Sequence, residues 1–590
     1  MPVWPIWPVW PTLPVWPIWP IVCLMLMLGA GRESLAQQIP LAAISAIVPG
    51  RYLVTYRGGT IPGDAEARVL GAGGRVVRRH DRLGVAVVQA GAGLGSGLGS
   101  GLGSGSGFGR LTAQADAANV AWLQALPNVA LVLHDRLVSA NQLIVRQQSA
   151  GSTVAPTESV PSLTGLRLTA PSLGLRDPVR PVGPAKPGEP IEPVGPIRFR
   201  SPLRVALDLQ IPPYDTYYTS TPQEWAVEQV GGYGSNIAGG PAHGPWDTTM
   251  GKGVRIAILD SGVDEAHPDI APNLGLNLSE VDQTALPSAC DDGTPQDQQG
   301  HGTWAASLAA GALGPGTGLT VGVAPQATVL NIKVMERLPA GDGSDPATQC
   351  EAGEASGLLS WVLAGIDDAM ANGADVISMS LGSVVDVTTG DGAGLQALFD
   401  QATYAAAAQG AVLIAAAGNN GLEVTGPEFV ELPAQSRDVL AIVASTNPAC
   451  AENLTAGAVC APGPVTLAYY SDYGAALDAL AAPGGSLPDG SDTGVSGWVR
   501  GACSGGKPGT VDGEPVDATH SYGCFNLGHT QYVQAMGTSA AAPLAAGVAA
   551  LLRAAHPGWD AATVIAAMRS GATGVTTLPV GLVSAAGVAP

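Results

Sequence analysis

Four short segments hold the residue types that nucleophilic catalysis requires. Ile256-Ala257-Ile258-Leu259-Asp260-Ser261-Gly262 places a carboxylate at the end of an apolar run, just before a turn. Gln299-Gly300-His301-Gly302-Thr303 places an imidazole at the mouth of a small-residue segment. Gly537-Thr538-Ser539-Ala540-Ala541-Ala542-Pro543 does the same for a hydroxyl, and Ala415-Ala416-Ala417-Gly418-Asn419 ends an apolar run with a side-chain amide. A hydroxyl is a weak nucleophile: it needs a base to take its proton and a third group to orient that base. It also needs donors aimed at the oxygen that becomes negative. Singly, each residue has a plain structural explanation. Asp260 could cap a strand end, Ser539 could cap a helix and His301 could be a surface histidine. Together, each in a tight glycine-containing setting, they favour the chemical reading.

The surrounding text explains how such groups could meet. VRIAILD (254–260), ATVLNIKVM (327–335), ADVISMSL (374–381), AVLIAAAG (411–418) and DVLAIVAS (438–445) read as buried strands. Between them, LLSWVLAGIDDAMANG (358–373) and LQALFDQATYAAAAQG (395–410) have helical spacing of apolar residues. Wholly apolar strands alternating with helices predict a parallel sheet covered on both faces. Functional groups in such sheets sit at the carboxyl ends of strands, which singles out Asp260, Ser380 to Gly382 and Asn419.

The N-terminal part reads differently. Residues 1–20 are an uncharged Trp-Pro repeat in which proline forbids a helix. IVCLMLMLGAG follows, an apolar run of signal-peptide length, and Ser34-Leu35-Ala36 offers small residues for a signal peptidase; the basic start of a standard signal is missing. Residues 1–36 are therefore read as a low-complexity stretch plus signal peptide. Residues 50–140 read as a small α+β unit, with strands at 51–56, 75–80, 85–90 and 129–138 and a helix over 111–126. A Gly-Ser-Leu repeat at 91–109 reads as a flexible insertion, and the Pro-rich stretch 141–205 reads as an extended linker.

DSG, HGT and GTSxxxP, in that order and with AAAGN between the last two, resemble the signature segments of subtilisin-like serine proteases. The order Asp, His, Ser separates that family from chymotrypsin-like and α/β-hydrolase enzymes. The resemblance covers residues 206–590, and the 50–140 unit resembles the family's inhibitory propeptide. It implies an α/β fold: a three-layer αβα peptidase with a mostly parallel sheet, preceded by a small α+β ferredoxin-like propeptide. It also implies a secreted serine endopeptidase, made as a self-processing precursor, with cleavage between about 137 and 205. Ser539 would be the nucleophile, His301 the general base and Asp260 its orienting carboxylate. Asn419 and the Ser539 backbone N–H would stabilise the oxyanion. Ser380, Leu381 and Gly382 match the edge segment that pairs with an extended substrate. Trp304 and Ala540 depart from the family pattern without touching these groups. Asp269 matches a frequent calcium ligand, although the loop GPGTGLTVGVAP (314–325) offers no obvious Asn or Asp to complete a site. A structural calcium is thus expected at most, and no cofactor is required for the chemistry.

Composition excludes other classes. The 27 basic and 48 acidic residues give a net charge of −21, which repels phosphate backbones, so nucleic-acid binding is not expected. Expected partners are protein or peptide substrates and the chain's own propeptide; neither a stable membrane span nor an oligomer is expected. Of seven cysteines, six follow the apolar leader, as expected for disulfides in an oxidising compartment. Cys450 with Cys460 and Cys503 with Cys524 are attractive pairs by proximity, and no spacing suits zinc. Asp291 and Asp292 read as a solvated loop, and His520 and His529 as loop residues. The alternative to an enzyme is a catalytically inactive subtilisin-fold binding or cell-surface protein. It would want one of Asp260, His301, Ser539 or Asn419 lost, and none is.

Overall fold

The computed structural model describes residues 45–71, 73–90, 113–140, 225–234, 243–313, 320–341, 343–426, 428–447, 465–485, 499–504, 510–511, 514–515 and 532–588. The leader at 1–36, the 91–109 repeat, the linker at 141–205, the Cys450–Cys460 pair, His520 and His529 lie outside them.

The first strands are β1 (Ile47–Tyr56), β2 (Gly74–His80), β3 (Val85–Ala90) and β4 (Val129–Ser139), with helices α1 (Ala65–Gly71) and α2 (Ala113–Gln124) between them. They pair in the order β2-β3-β1-β4, every neighbour antiparallel. Alternation along β1 assigns its two faces. Tyr52 and Val54 join Val69 and Leu123 in a core under the two helices. Leu53, with Val87 and Leu133, faces the opposite way into a larger core.

That larger core belongs to an eight-stranded sheet. Its strands include β5 (Arg255–Asp260), β6 (Leu274–Ser279) and β7 (Thr328–Lys333). Two short strands follow, β8 (Met335–Leu338) and β9 (Glu354–Leu358), then β10 (Val376–Met379), β11 (Ser383–Asp386), β12 (Val412–Ala416), β13 (Phe429–Leu432), β14 (Val439–Thr446), β15 (Thr466–Leu467) and β16 (Ala479–Pro483). The sheet order is β15-β14-β12-β10-β5-β7-β6, with β16 also pairing β14; all neighbours are parallel except the β14–β15 pair. In β5, Ile256 and Ile258 face helices α3 (His301–Ala310) and α6 (Thr538–Ala555), while Ala257 and Leu259 face α4 (Leu359–Ala371) and α5 (Gly390–Ala408). Both faces are covered, which is why the central strands β10, β12 and β14 are almost wholly apolar. The expected three-layer α/β arrangement with a mostly parallel sheet is therefore found. Each fully buried Leu or Ile contributes about 1.5–3 kcal/mol by burial.

Strands β8 and β9 extend the N-terminal sheet instead, through antiparallel pairing of β4 with β9. The N-terminal unit thus packs on α4 and α5 and shares a sheet with the segment that precedes α4. Arginines stud this contact: Arg82 meets Asp367, Arg136 meets Asp391 and Arg78 meets Glu280 and Asp368.

One disulfide has both partners among the described residues, and one local expectation, for Asp291, changes. Cys290 is bonded to Cys350, a pair distant in sequence that proximity did not single out. Cys503 is also in a disulfide. Asp291 is not solvated: it is buried, and both its oxygens accept from Lys333 Nζ at 2.8 and 3.0 Å. A lysine that has lost its water needs such a partner, and the pair holds the 291 loop against β7. One helix among the described residues, Thr538–Ala555, is long and apolar enough to cross a membrane, but it lies inside the protein core.

Candidate active site

Strands β12, β10 and β5 are neighbours and parallel, so their carboxyl ends lie side by side. Asp260 ends β5, Ser380 follows β10 and Asn419 lies just beyond β12. The sheet therefore gathers three residues that are far apart in sequence, and α3 and α6 on one face bring His301 and Ser539.

Asp260 and His301 are both buried, and His301 Nδ1 lies 2.7 Å from Asp260 Oδ1. The same oxygen accepts from the Ser261 backbone N–H at 2.7 Å. The close approach depends on Gly302: a Cβ there would lie 2.1 Å from the Gly262 carbonyl oxygen. The start of α3 is organised by a residue that the motifs did not reveal. Asp297, fully buried, accepts from the backbone N–H groups of Gln299, Gly300 and Thr303 and from the Ser261 and Thr303 hydroxyls. Burial pushes its carboxyl up from the usual range, partly offset by these bonds. The only sequence signal was an Asp shortly before a helix start. Trp304 stacks edge-on at 5.9 Å from the imidazole centroid and donates from Nε1 to the Val499 carbonyl, a packing role.

Ser539 lies in the first turn of α6. Proline at 543 removes the N–H that would bond the Ser539 carbonyl four residues back. Ser380 supplies the missing donor: its hydroxyl donates to that carbonyl at 2.9 Å. The Ser539 hydroxyl in turn donates to the Ser380 carbonyl at 3.4 Å. Asn419 is oriented by its neighbour, since its Oδ1 accepts from the Thr538 N–H at 2.9 Å and hydroxyl at 2.8 Å. Gly537 precedes the helix at φ +155°, and a Cβ built on it would lie 3.6 Å from both Asn419 Nδ2 and the Ser539 backbone N. Amide and N–H therefore border the same small space, and glycine keeps it open.

The cleft at Ser539 is lined by Ser380, Leu381, Gly382, Gly418, Asn419 and Glu431, and also by Ser139 and Ala140 from the end of β4. Ser139 and Gly382 exchange both backbone hydrogen bonds, each 3.1 Å. On its other side the same strand pairs with β9, and Ala140 N–H donates to the Ala355 carbonyl at 3.1 Å. The end of β4 thus lies as an extended strand between two edges and points at Ser539.

Asp269 is not part of this cluster. It is buried, its Oδ2 accepts from the Tyr532 hydroxyl at 3.0 Å and lies 4.0 Å from His267 Nδ1. Calcium requires 6–8 oxygen ligands. Among the described residues no group of three or more His, Cys, Asp or Glu could hold a metal. The Asp269 carboxylate has a phenol and an imidazole among its partners, and residues 314–319 of the loop expected to complete a calcium site lie outside the described residues.

The family model described as the subtilase family (Peptidase S8) matches residues 251–585. Thermitase of Thermoactinomyces vulgaris is 36% identical over 202 residues, 34% of this chain and 58% of that protein. Subtilisin NAT of Bacillus subtilis subsp. natto is 30% identical over 323 residues, 55% of this chain and 61% of that protein. The chain thus spans about three fifths of the length of these curated relatives. The crystal structure of the epidermin leader peptide processing serine protease of Staphylococcus aureus shares the fold, with a TM-score of 0.52 at 16% identity over 91% of this chain and 97% of that one. With the family match spanning the sheet, both helices and all four candidate groups, the chain belongs to the subtilase family.

Proposed function

We propose that this protein is a serine endopeptidase that acts through an acyl-enzyme on Ser539. The observation that carries the reading is the Asp260–His301 pair at 2.7 Å, placed at the end of β5 beside β10 and, next to it, β12, whose following residues Ser380 and Asn419 line the cleft with Ser539. His301 accepts the Ser539 proton as the hydroxyl attacks the carbonyl, then returns it to the leaving amine. Asp260 accepts from the Nδ1–H, fixes the tautomer and stabilises the imidazolium. The Ser539 hydroxyl must turn from the Ser380 carbonyl toward His301 for this step. Asn419 Nδ2–H and the Ser539 N–H receive the oxyanion; their common border at Gly537 supports that pairing. No cofactor takes part.

Substrates are polypeptides presented as extended strands. Gly382 on one side and β9 on the other pair with Ser139 and Ala140, which supports these edges as the substrate-pairing segments, with Ser380 and Leu381 continuing the first. The 50–140 unit is then an inhibitory propeptide. Its strand order supports the ferredoxin-like expectation, and its arginines against acids of the peptidase part support a built-in inhibitor. Self-cleavage falls immediately beyond Ala140, inside the window expected from the sequence. The product works outside the cell as a monomer. N-terminal sequencing of the secreted protein tests this reading together with hydrolysis of an unfolded protein. Wild type should yield a new terminus just past Ala140 and degrade the substrate; Ser539→Ala should do neither. A Ser539→Ala variant that still matures and degrades substrate would overturn it.

A further inference from the structure

One carboxyl in the cleft has no use in the steps above. Glu431 lies on β13, opposite Val384 of β11, and is 6% exposed. Its Oε1 occupies the space beside Gly382, where a Cβ would sit 1.7 Å from it. Its Oε2 is buried and has no hydrogen-bond partner among the described residues. A second acid stands close: Asp472 Oδ2 would lie 2.3 Å from a Cβ on Gly418, another lining residue. Asp472 is held by the Asn420 and Leu422 N–H groups and the Asn420 amide. Among the described residues no Lys or Arg pairs with Glu431. Burial, and then Asp472, push its carboxyl well above the usual range.

An unmatched buried carboxyl is costly to keep. It is tolerable where a ligand supplies the partner. Resting on the endopeptidase reading, we propose that Glu431 is a specificity-determining residue that selects a lysine or arginine side chain in the substrate residue entering this cleft. The long aliphatic stem of either side chain suits the apolar wall offered by Leu381 and Ala416, with the charge carried to the floor. The charge-assisted hydrogen bond then goes to Glu431, and Asp472 adds to the negative field. Ser139 and Ala140, which line the cleft in this structure, bring no charge to it; self-cleavage beyond Ala140 is intramolecular and draws on proximity rather than on this contact.

The test is kcat/KM on a peptide series differing only at the residue before the scissile bond: Lys, Arg, Gln, Phe or Ala. Mature enzyme is used, its active fraction set by fluorophosphonate titration. Wild type should prefer Lys and Arg over Phe and Ala by tenfold or more. Glu431→Gln should cut that ratio at least tenfold, and Glu431→Asp should keep part of it. Preference for Phe, Ala or Gln in wild type, or an unchanged ratio in Glu431→Gln, would overturn the proposal. The wild-type profile decides alone if a variant fails to fold. Enzyme that takes the probe and cuts neutral peptides best refutes only the role of Glu431. Enzyme that neither takes the probe nor cuts any peptide refutes the endopeptidase reading instead.

Discussion

The contact between the N-terminal unit and the peptidase part should hinge on Asp135. This residue of β4 is fully buried. Its Oδ2 accepts from Arg51 Nε at 3.0 Å, and its Oδ1 accepts from the Ser360 N–H at 3.0 Å. Ser360 lies in the first turn of α4, so Asp135 satisfies one of that helix's unpaired donors from a strand far away in sequence. Asp135→Ala removes a cap worth about 1 kcal/mol. It also leaves Arg51, 3% exposed, without its closest counter-charge, and breaking a buried pair costs about 3–5 kcal/mol. The two losses overlap, so about 4 kcal/mol is expected in total. The assay is urea unfolding in a Ser539→Ala background, which keeps the chain in one piece; the result is read as a shift of midpoint at constant slope. The double variant Arg51→Ala, Asp135→Ala should be no worse than Asp135→Ala alone, because the stranded cation leaves with its partner. A shift below about 1 kcal/mol for the single variant would refute the reasoning. It would mean that Asp282, 3.6 Å from Arg51 Nη1, replaces Asp135 in full.

Three further outcomes are expected. Asn419→Ala should lower kcat on peptide substrates by about 10²–10³ with little change in KM, a magnitude carried over from subtilisin rather than worked out from this site. Ser380→Ala should cost about 1–3 kcal/mol of stability by stranding the Ser539 carbonyl, and adding Pro543→Ala should restore most of it by returning the helical N–H. The precursor should lose stability as pH falls, through His80. Burial holds its ring at about 4, below the ordinary 6.5, so between these values the unfolded chain binds a proton that the folded chain refuses. That gap amounts to about 3 kcal/mol, present above pH 6.5 and lost toward pH 4. The pH dependence of unfolding for Ser539→Ala should flatten correspondingly in Ser539→Ala, His80→Leu.

Much of the fold was legible because burial on both faces leaves a plain sequence signature. The runs leading to Asp260, Ser380 and Asn419 are dominated by apolar residues, and their strands appear where expected. Strands β8 and β9 escaped notice because MERL and EASGL are short, and their pairing depends on β4, far away in the chain. Helix α5 begins at Gly390, ahead of the expected 395, because Thr389 caps it by accepting from the Gly392 N–H; a Gly-rich start argues against helix on propensity alone. At the site, short motifs marked the groups proposed to take part in the reaction. The residues that hold those groups in place carry no motif. Asp297 acts through five convergent donors, and Ser380 matters partly because Pro543 lies in a helix elsewhere. Glu431 reads as one acid in EFVELP, and only the β11–β13 pairing puts it under Gly382.

The central claim is that Ser539 is an activated nucleophile released by the chain's own processing. Intact mass before and after a fluorophosphonate probe, beside Ser539→Ala, addresses it most directly. The account predicts a chain shortened to just past Ala140 that gains one adduct, and an unprocessed mutant that gains none. A folded, shortened wild-type chain that takes no adduct would contradict it.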